Sequence, residues 1–530
     1  MADALEGNDR VRAAELIAAL CLATDLGMAF PFEHGLQTTL IATRLAEKLG
    51  VDRENGCETF YACLLCHAGC TTEAHGAAEI FGGSLTTSFH PLMYGSARDV
   101  LRGLARALPD PESPALVRAA QTARRFPRMA RESRPAISAA CEVAGMLADR
   151  VGAPASVPGL LAHLTERWDG KGPLHRAKGE QIPLAMRIVH VATDAAFQRL
   201  LGGAEHAARI VQERAGRAFD PQIAACLVAD ASEILALDEG ASAWDEVLAA
   251  EPHPRLVLAV EALDRGLVAM ASFADLISPY LTGHSVGVAE LAGAAAKRCG
   301  IDAAGATAIR RAGLLHDLGR VAVHARIWQK PGPLSADEWE QVRLHPYHTE
   351  RVLSRSPFLS ALSPIAGAHH ERLDGSGYHR GASGAELAFP ARLLAAADAY
   401  HAMTEPRPHR QALPSERAAQ VLAEEASAGR LDPDGVAAVL KAAGQRAPRL
   451  ERPAGLTERE AEVVAMLARG LQTKQVARAL GISVKTADRH IQNAYRKIGV
   501  SSRAAATVFA MEHGLVAWGE LPIARSAARS

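Results

Sequence analysis

Ten of the 21 histidines in this 530-residue chain fall between positions 284 and 409. Inside that window stand His284, the adjacent pair His316-Asp317, His345, the adjacent pair His369-His370, and Asp398. Gaps of 24 to 32 residues separate successive members. Each gap holds one helix and one loop, so the ligands come from different helices and converge inside a bundle. Imidazoles mixed with carboxylates suit Fe, Mn or Zn better than Ca or Mg. The carboxylate of Asp317 is placed to bridge two ions and polarise a water for attack on phosphorus, which makes it the first catalytic candidate. A single histidine of this kind is as well explained by a hydrogen-bonded place in a helical core. Two adjacent pairs and three singles buried together without a metal would be costly. A metal used for sensing or structure, without turnover, stays open as an alternative.

The elements that must position these residues read at helical period. GVAELAGAAAKR (287–298) and AAADAYHAM (395–403) repeat apolar residues at i, i+3 and i+4. No alternating strand pattern stands out, and aromatics make up only 5% of the chain. The expected fold is all-α, helix on helix.

The chain also repeats itself. Residues 25–69 align without gaps on 275–319, pairing Asp25 with Asp275, His34 with His284 and Leu64-Leu65 with Leu314-Leu315. ERWDGKG (166–172) answers ERLDGSG (371–377), and FDP (219–221) answers LDP (431–433). Two copies of one domain of roughly 200 residues each are expected. The expected boundaries are 1–245, 246–447, a linker at 448–455, a small domain at 456–515 and a tail at 516–530, with the junction between the copies in 236–256.

The second copy resembles the HD superfamily of phosphohydrolases and, within it, the HD-GYP cyclic-dinucleotide phosphodiesterases. The match runs from about 272 to 440 through SPYLTGHS (278–285), LLHDLG (314–319), KPGPLS (330–335), HP (345–346), HHERLDGSGY (369–378) and RPHR (407–410). The resemblance implies that His284, His316, Asp317, His345, His369, His370 and Asp398 are the metal ligands. It makes Arg320, Asp374, Tyr378, Arg407 and Arg410 the candidates for holding a small phosphate ester or cyclic dinucleotide, with Arg320 also a catalytic candidate. Three positions depart from the family. The glycine–tyrosine–proline signature is Gly377-Tyr378-His379, the lysine usual three residues after the histidine–aspartate pair is Arg320, and Tyr280 stands where some members place an acidic ligand for a third metal. Arg320 keeps the charge but is no proton donor of ordinary pKa. At most two ions are expected.

In the first copy the same alignment puts Cys66-His67 at the histidine–aspartate pair, Leu164-Thr165 at the paired histidines, Thr193 at Asp398 and Ala140 near the place of His345. Only His34 and its neighbourhood survive, so this copy is expected to be catalytically silent. Cys63-Leu64-Leu65-Cys66-His67 matches a short haem-attachment pattern, and Cys70 and His75 invite a zinc or thiol-redox reading. The plainer expectation sets Cys63, Cys66 and Cys70 on one face of a core helix as small apolar groups.

The net charge of −1 hides a local concentration. Residues 471–503 carry seven Lys/Arg against one acid, Asp488, which points to a polyanion partner for that segment. Thr457 with Glu460 forms a capping box, and Gly470 closes that helix. Gly481-Ile482 makes a turn, and Ser483 caps a helix over 484–498. This is a helix-turn-helix whose second helix presents Lys485, Thr486, Arg489, His490, Gln492 and Asn493, with Lys474, Arg496, Lys497 and Arg503 beside it. Residues 456–515 resemble the LuxR/GerE output domain through TEREAEV (457–463), ARGLQTKQVA (468–477), LGISVKTA (480–487) and HIQNAYRKIGVSSR (490–503). That resemblance implies double-stranded DNA as partner and a homodimer on paired half-sites.

The chain opens without a basic and then apolar signal segment, and no apolar run approaches the ~20 residues of a membrane span. A cytoplasmic protein with reduced cysteines and no membrane partner is expected. The expected function is transcriptional regulation through a phosphate-ester signal, either sensed or hydrolysed. The alternatives are a phosphodiesterase that the DNA domain merely localises, and two HD copies that serve only as scaffolds.

Overall fold

The computed structural model describes residues 11–70, 93–110, 113–237, 240, 242–444, 453–513 and 515. Among them there is no strand, only isolated bridges, as the low aromatic and high alanine content anticipates. The backbone divides into two compact units, one covering Arg10–Gly266 and one beginning at Leu267.

The first unit holds α1 (Ala13–Gly27), α2 (His34–Lys48), α3 (Arg53–Leu64), α4 (Ala97–Ala107), the long α5 (Ala115–Arg150), α6 (Leu184–Arg214), α7 (Pro221–Ala229) and α8 (Ala243–Ala249). Helix α9 (Val260–Asp275) crosses the division. The second unit continues with α10 (His284–Arg298), α11 (Ala303–Leu315), α12 (Ala336–Arg343), α13 (His345–Leu353), α14 (Pro357–Ala366), α15 (Phe389–Thr404), α16 (Ser415–Ser427) and α17 (Pro433–Ala443). It ends in four short helices, α18 (Glu458–Ala468), α19 (Thr473–Leu480), α20 (Val484–Ile498) and α21 (Arg503–Glu512). Most of the linker at 448–455 and the tail at 516–530 lie outside the described residues.

The repeat seen in the sequence is a repeat of hydrogen bonds. The buried Asp25 carboxylate accepts from the Gly35 amide at 3.0 Å, and the buried Asp275 carboxylate accepts from the Ser285 amide at 3.0 Å. Each bond fixes the start of a helix that opens on a histidine, His34 or His284. The residue before each histidine is left-handed, Glu33 at φ +74° and Gly283 at φ +79°. Glu166 accepts from the Arg176 amide as Glu371 does from the Arg380 amide. Arg187 pairs with Asp220 as Arg392 pairs with Asp432.

A Cβ on Gly319 would lie 2.1 Å from the carbonyl oxygen of His345, and one on Gly69 would lie 1.8 Å from that of Ala140. Only glycine allows this approach of two backbones, and it identifies Ala140 as the structural counterpart of His345. One local expectation is corrected. Helix α3 stops at Leu64, so Cys63, Cys66 and Cys70 do not share a helix face. Cys63 and Cys66 are buried all the same, and Cys70 is half-buried.

Candidate functional site

The seven expected ligands come together in the second unit. His284 opens α10, His316 caps the end of α11, His345 opens α13, His369 and His370 follow the end of α14, and Asp398 lies in the middle of α15. His284, His316, Asp317, His345, His369 and Asp398 are buried, and His370 is half-buried. Asp317 is at the centre. Its Oδ2 lies 2.9 Å from His316 Nε2 and 3.3 Å from His284 Nε2. Its Oδ1 lies 3.2 Å from His345 Nε2 and 3.4 Å from His369 Nε2. Asp398 Oδ1 adds to the first group, 3.2 Å from His284 Nε2, and its Oδ2 is 3.7 Å from His370 Nδ1.

The electrostatics describe a site suited to a cation. His284 Nε2, His316 Nε2, both Asp317 oxygens and Asp398 Oδ1 are buried with no partner in hydrogen-bonding geometry. Such groups are expensive to bury unsatisfied, and a divalent cation satisfies all of them at once. Burial works against ionised carboxylates here. Even so, the Arg320 guanidinium and the neighbouring imidazoles hold Asp317 well below the usual carboxylate range, and His284 and His316 do the same for Asp398. Burial pushes His345 down to about 4 and lowers His369 and His370. His316 is opposed by burial but is pushed up to about 9 by Asp317. The donor set, nitrogen with carboxylate oxygen, fits a transition metal. Triads His284/His316/Asp398 and His345/His369/His370 each offer ligand atoms within 4.8 Å of one another.

The candidates beyond the ligands divide. Arg320 is buried, 2.7 Å from Asp317 Oδ2, with its guanidinium over the Trp328 ring. Tyr378 lies against His370, ring centroids 4.2 Å apart and the planes tilted by 32°. Asp374 is not in the cluster: it closes a turn by accepting from the amide and hydroxyl of Ser376. Arg407 donates to the Tyr280 carbonyl and to Glu405, and Arg410 donates to the carbonyls of Ala402, Met403 and Glu405. Both arginines thus brace the turn after α15. Sequence reasoning passed over Glu405, His401 and Trp328. The i, i+3 and i+7 spacing of Asp398, His401 and Glu405 was the available signal for two of them.

In the first unit the matching position is a small cavity of about 30 Å³ lined by Cys66, His67, Ala140, Leu164, Thr165 and Thr193, among others. His34 is buried and stacks on Phe30, centroids 4.4 Å apart. A hydrogen bond to Cys63, together with burial, raises the Cys66 thiol well above its ordinary value, and burial pushes Cys70 to about 12. His75 lies outside the described residues.

The helix-turn-helix forms as its caps dictate. Thr457 and Glu460 make the reciprocal box, Gly481 ends α19 at φ +64°, and Ser483 caps α20. Val463, Val476, Ala487 and Ile491 form one core cluster, and Val464, Ala494 and Phe509 another. Lys474, Lys485 and Arg489 are exposed, with Thr486 and His490 beside them. Asn493 accepts from Arg496 at 2.5 Å, and Lys497 is tied to Glu460 at 2.6 Å. Arg503 donates to the Leu467 carbonyl.

A helical bundle with histidines and aspartates around one central carboxylate, followed by a helix-turn-helix, defines a metal-dependent HD-type protein with a nucleic-acid-reading domain. The comparisons agree. The HD domain family model matches residues 269–435, and that of the bacterial regulatory proteins of the luxR family matches 454–510. The 3′3′-cGAMP-specific phosphodiesterase 3 of Vibrio cholerae is 30% identical over 434 residues, 81% of this chain and 94% of the relative. A cyclic di-GMP phosphodiesterase of Thermotoga maritima is 38% identical over 161 residues, 30% of this chain and 43% of the relative. The crystal structure of a cyclic GMP-AMP specific phosphodiesterase of V. cholerae covers 83% of this chain and 99% of its own at TM-score 0.56 and 25% identity. The chain belongs to the HD-GYP family of cyclic-dinucleotide phosphodiesterase homologues and carries a C-terminal LuxR-type domain.

Proposed function

We propose that this protein is a DNA-binding regulator whose second HD unit holds two divalent transition-metal ions, Fe, Mn or Zn, and hydrolyses a cyclic dinucleotide or related phosphate ester. The observation that carries the reading is the position of Asp317. Each of its oxygens faces a separate nitrogen group, the arrangement a bridging carboxylate needs. When bound, a metal pair supplies Lewis acidity and lowers the pKa of a water. The chain's own residues do the rest. His284, His316 and Asp398 form one half of the cradle, and His345, His369 and His370 the other. Arg320, stacked on Trp328, holds Asp317 ionised and keeps positive charge beside the reacting phosphate. Tyr378, half-buried beside His370, offers a ring on which a base can stack. The relatives named for 3′3′-cGAMP and cyclic di-GMP favour turnover over sensing alone.

In the same reading, Lys485, Thr486, Arg489, His490 and Asn493 meet base edges of double-stranded DNA, while Lys474 and Arg496 meet phosphates. Two copies of the chain would read paired half-sites.

The test is an assay of the purified, Mn²⁺-loaded chain on 3′3′-cGAMP and cyclic di-GMP, beside titration with DNA. Linear products and salt-sensitive DNA binding are expected. Arg489→Ala should cost about 1–3 kcal/mol of specific DNA binding. Absence of both hydrolysis and binding of the two dinucleotides would sink the enzymatic half, and absence of salt-sensitive DNA retention would sink the regulatory half.

A further inference from the structure

A histidine ligates well when its second nitrogen is held by an acceptor, because that contact fixes the ring and leaves the correct nitrogen for the metal. Three of the ligands achieve this the same way. His316, His345 and His369 each place Nδ1 at 2.6 or 2.7 Å from the carbonyl oxygen three residues earlier, on Gly313, Val342 and Ala366. In each, Nε2 is left facing Asp317.

His284 does not make that contact. It is the first residue of α10, and the left-handed Gly283 before it turns the preceding chain away. Its Nδ1 instead meets Glu405 Oε2 at 2.8 Å, across the bundle from the turn after α15. Glu405 is buried and held in turn. Arg407 Nη2 donates to its Oε2 at 2.9 Å, and His401 Nδ1 lies 3.2 Å from its Oε1. Arg407 also donates to the carbonyl of Tyr280, four residues before His284, so the bracket closes on the loop that carries the ligand.

We infer that Glu405 is a positioning residue for the metal centre, its carboxylate accepting the His284 Nδ1–H and so fixing Nε2 toward Asp317 and Asp398. His401 and Arg407 set the carboxylate. The inference rests on the metal-centre reading above. The group His284, His401 and Glu405 could also be read as a ligand set of its own, since its atoms lie within 4.8 Å of one another. Against that, Nε2 of His284 already points into the Asp317 cluster, and a neutral ring that ligates through Nε2 has its proton on Nδ1.

The experiment is Mn²⁺ affinity and stoichiometry of the full chain by chelator competition, with melting of the metal-free proteins beside it. Glu405→Ala should weaken Mn²⁺ binding by about 10–100-fold, the usual effect of losing such a contact. Glu405→Gln keeps an acceptor oxygen at the same reach and should recover most of the affinity. The metal-free melting temperatures of parent and Gln variant should agree. Should Glu405→Ala not fold, Glu405→Asp, which withdraws the carboxylate by one methylene, serves for the same comparison. Unchanged Mn²⁺ affinity in the Ala or Asp variant overturns the inference. So does a variant that loses one whole equivalent of Mn²⁺ while the rest binds as before, since Glu405 would then be a ligand. A parent that takes up no Mn²⁺ removes the metal-centre reading itself, and this inference with it.

Discussion

Asp317 is the residue on which the candidate centre turns, because its two oxygens face different nitrogen groups, each at 3.4 Å or less. Asp317→Ala should abolish most metal uptake, read as metal content after reconstitution with Fe, Mn or Zn. Retained metal at the parent's level would show that the two groups bind without a bridge. A second residue-scale consequence concerns the first unit. His190 is buried, its Nε2 is 2.9 Å from the His163 carbonyl, and burial pushes its pKa down to about 4 from the ordinary 6.5. Above pH 6.5 both folded and unfolded chains hold it neutral. As pH falls from 6.5 to 4 the unfolded chain takes up a proton that the folded one refuses, so stability drops. The total loss is on the order of 3 kcal/mol, levelling off below pH 4. Thermal melts between pH 7.5 and 4 check it, and a His190→Gln variant should lose that part of the slope. An equal slope in both proteins would exclude His190 as its source.

At the scale of elements, caps and close approaches do the positioning. Helix α18 starts where Thr457 and Glu460 satisfy each other's amides, and Lys497 from α20 clamps the same carboxylate. Thr457→Ala should therefore cost the small domain about 1 kcal/mol, visible as a lower denaturant midpoint of its transition. No change would mean that Lys497 alone holds Glu460. In the larger bundle His316, His345 and His369 each follow the C-terminal end of a helix, where backbone carbonyls are left over and can take an imidazole N–H. This is why the histidine spacing of one helix plus one loop was readable. The helix starts at Asp25/Gly35 and Asp275/Ser285 were readable only as an alignment of letters. That an aspartate ten residues earlier holds each amide is a fact of packing.

For the whole molecule the question is whether the two halves of the function communicate. The loop carrying Pro279 and Thr282 runs directly into His284. Thr282 Oγ1 donates to the Ala468 carbonyl at the end of α18 at 3.1 Å, and a Cβ on Gly470 would lie 3.1 Å from Pro279 Cβ. A change at His284 is thus two residues from the DNA-reading domain. Affinity for a DNA site should differ between metal-loaded and metal-stripped protein by about 1–3 kcal/mol, and linkage requires DNA to shift metal affinity by the same factor. Equal DNA affinities in the two states would favour a phosphodiesterase whose DNA domain only localises it. Among the described residues no helix is long and apolar enough to cross a membrane.

Read alone, the residues carry the all-α class, the internal repeat, the seven converging His and Asp positions and the caps of the helix-turn-helix. Each is written in periodicity, in identity at fixed spacing, or in contacts between residues three or four apart, where chain connectivity limits the geometry. Only the tertiary structure decided which candidates meet. Asp374, Arg407 and Arg410 belong to the same motifs as the ligands, yet they are spent on turns and backbone carbonyls, because motif membership says nothing of where a long side chain finds its acceptor. Lys497 looked like a phosphate contact and is tied to Glu460, 37 positions away. The bond from His284 to Glu405 spans 121 positions, and no local rule of spacing links residues that far apart. The approach of two backbones at Gly319 and His345, which seats one ligand beside another, is likewise set by packing.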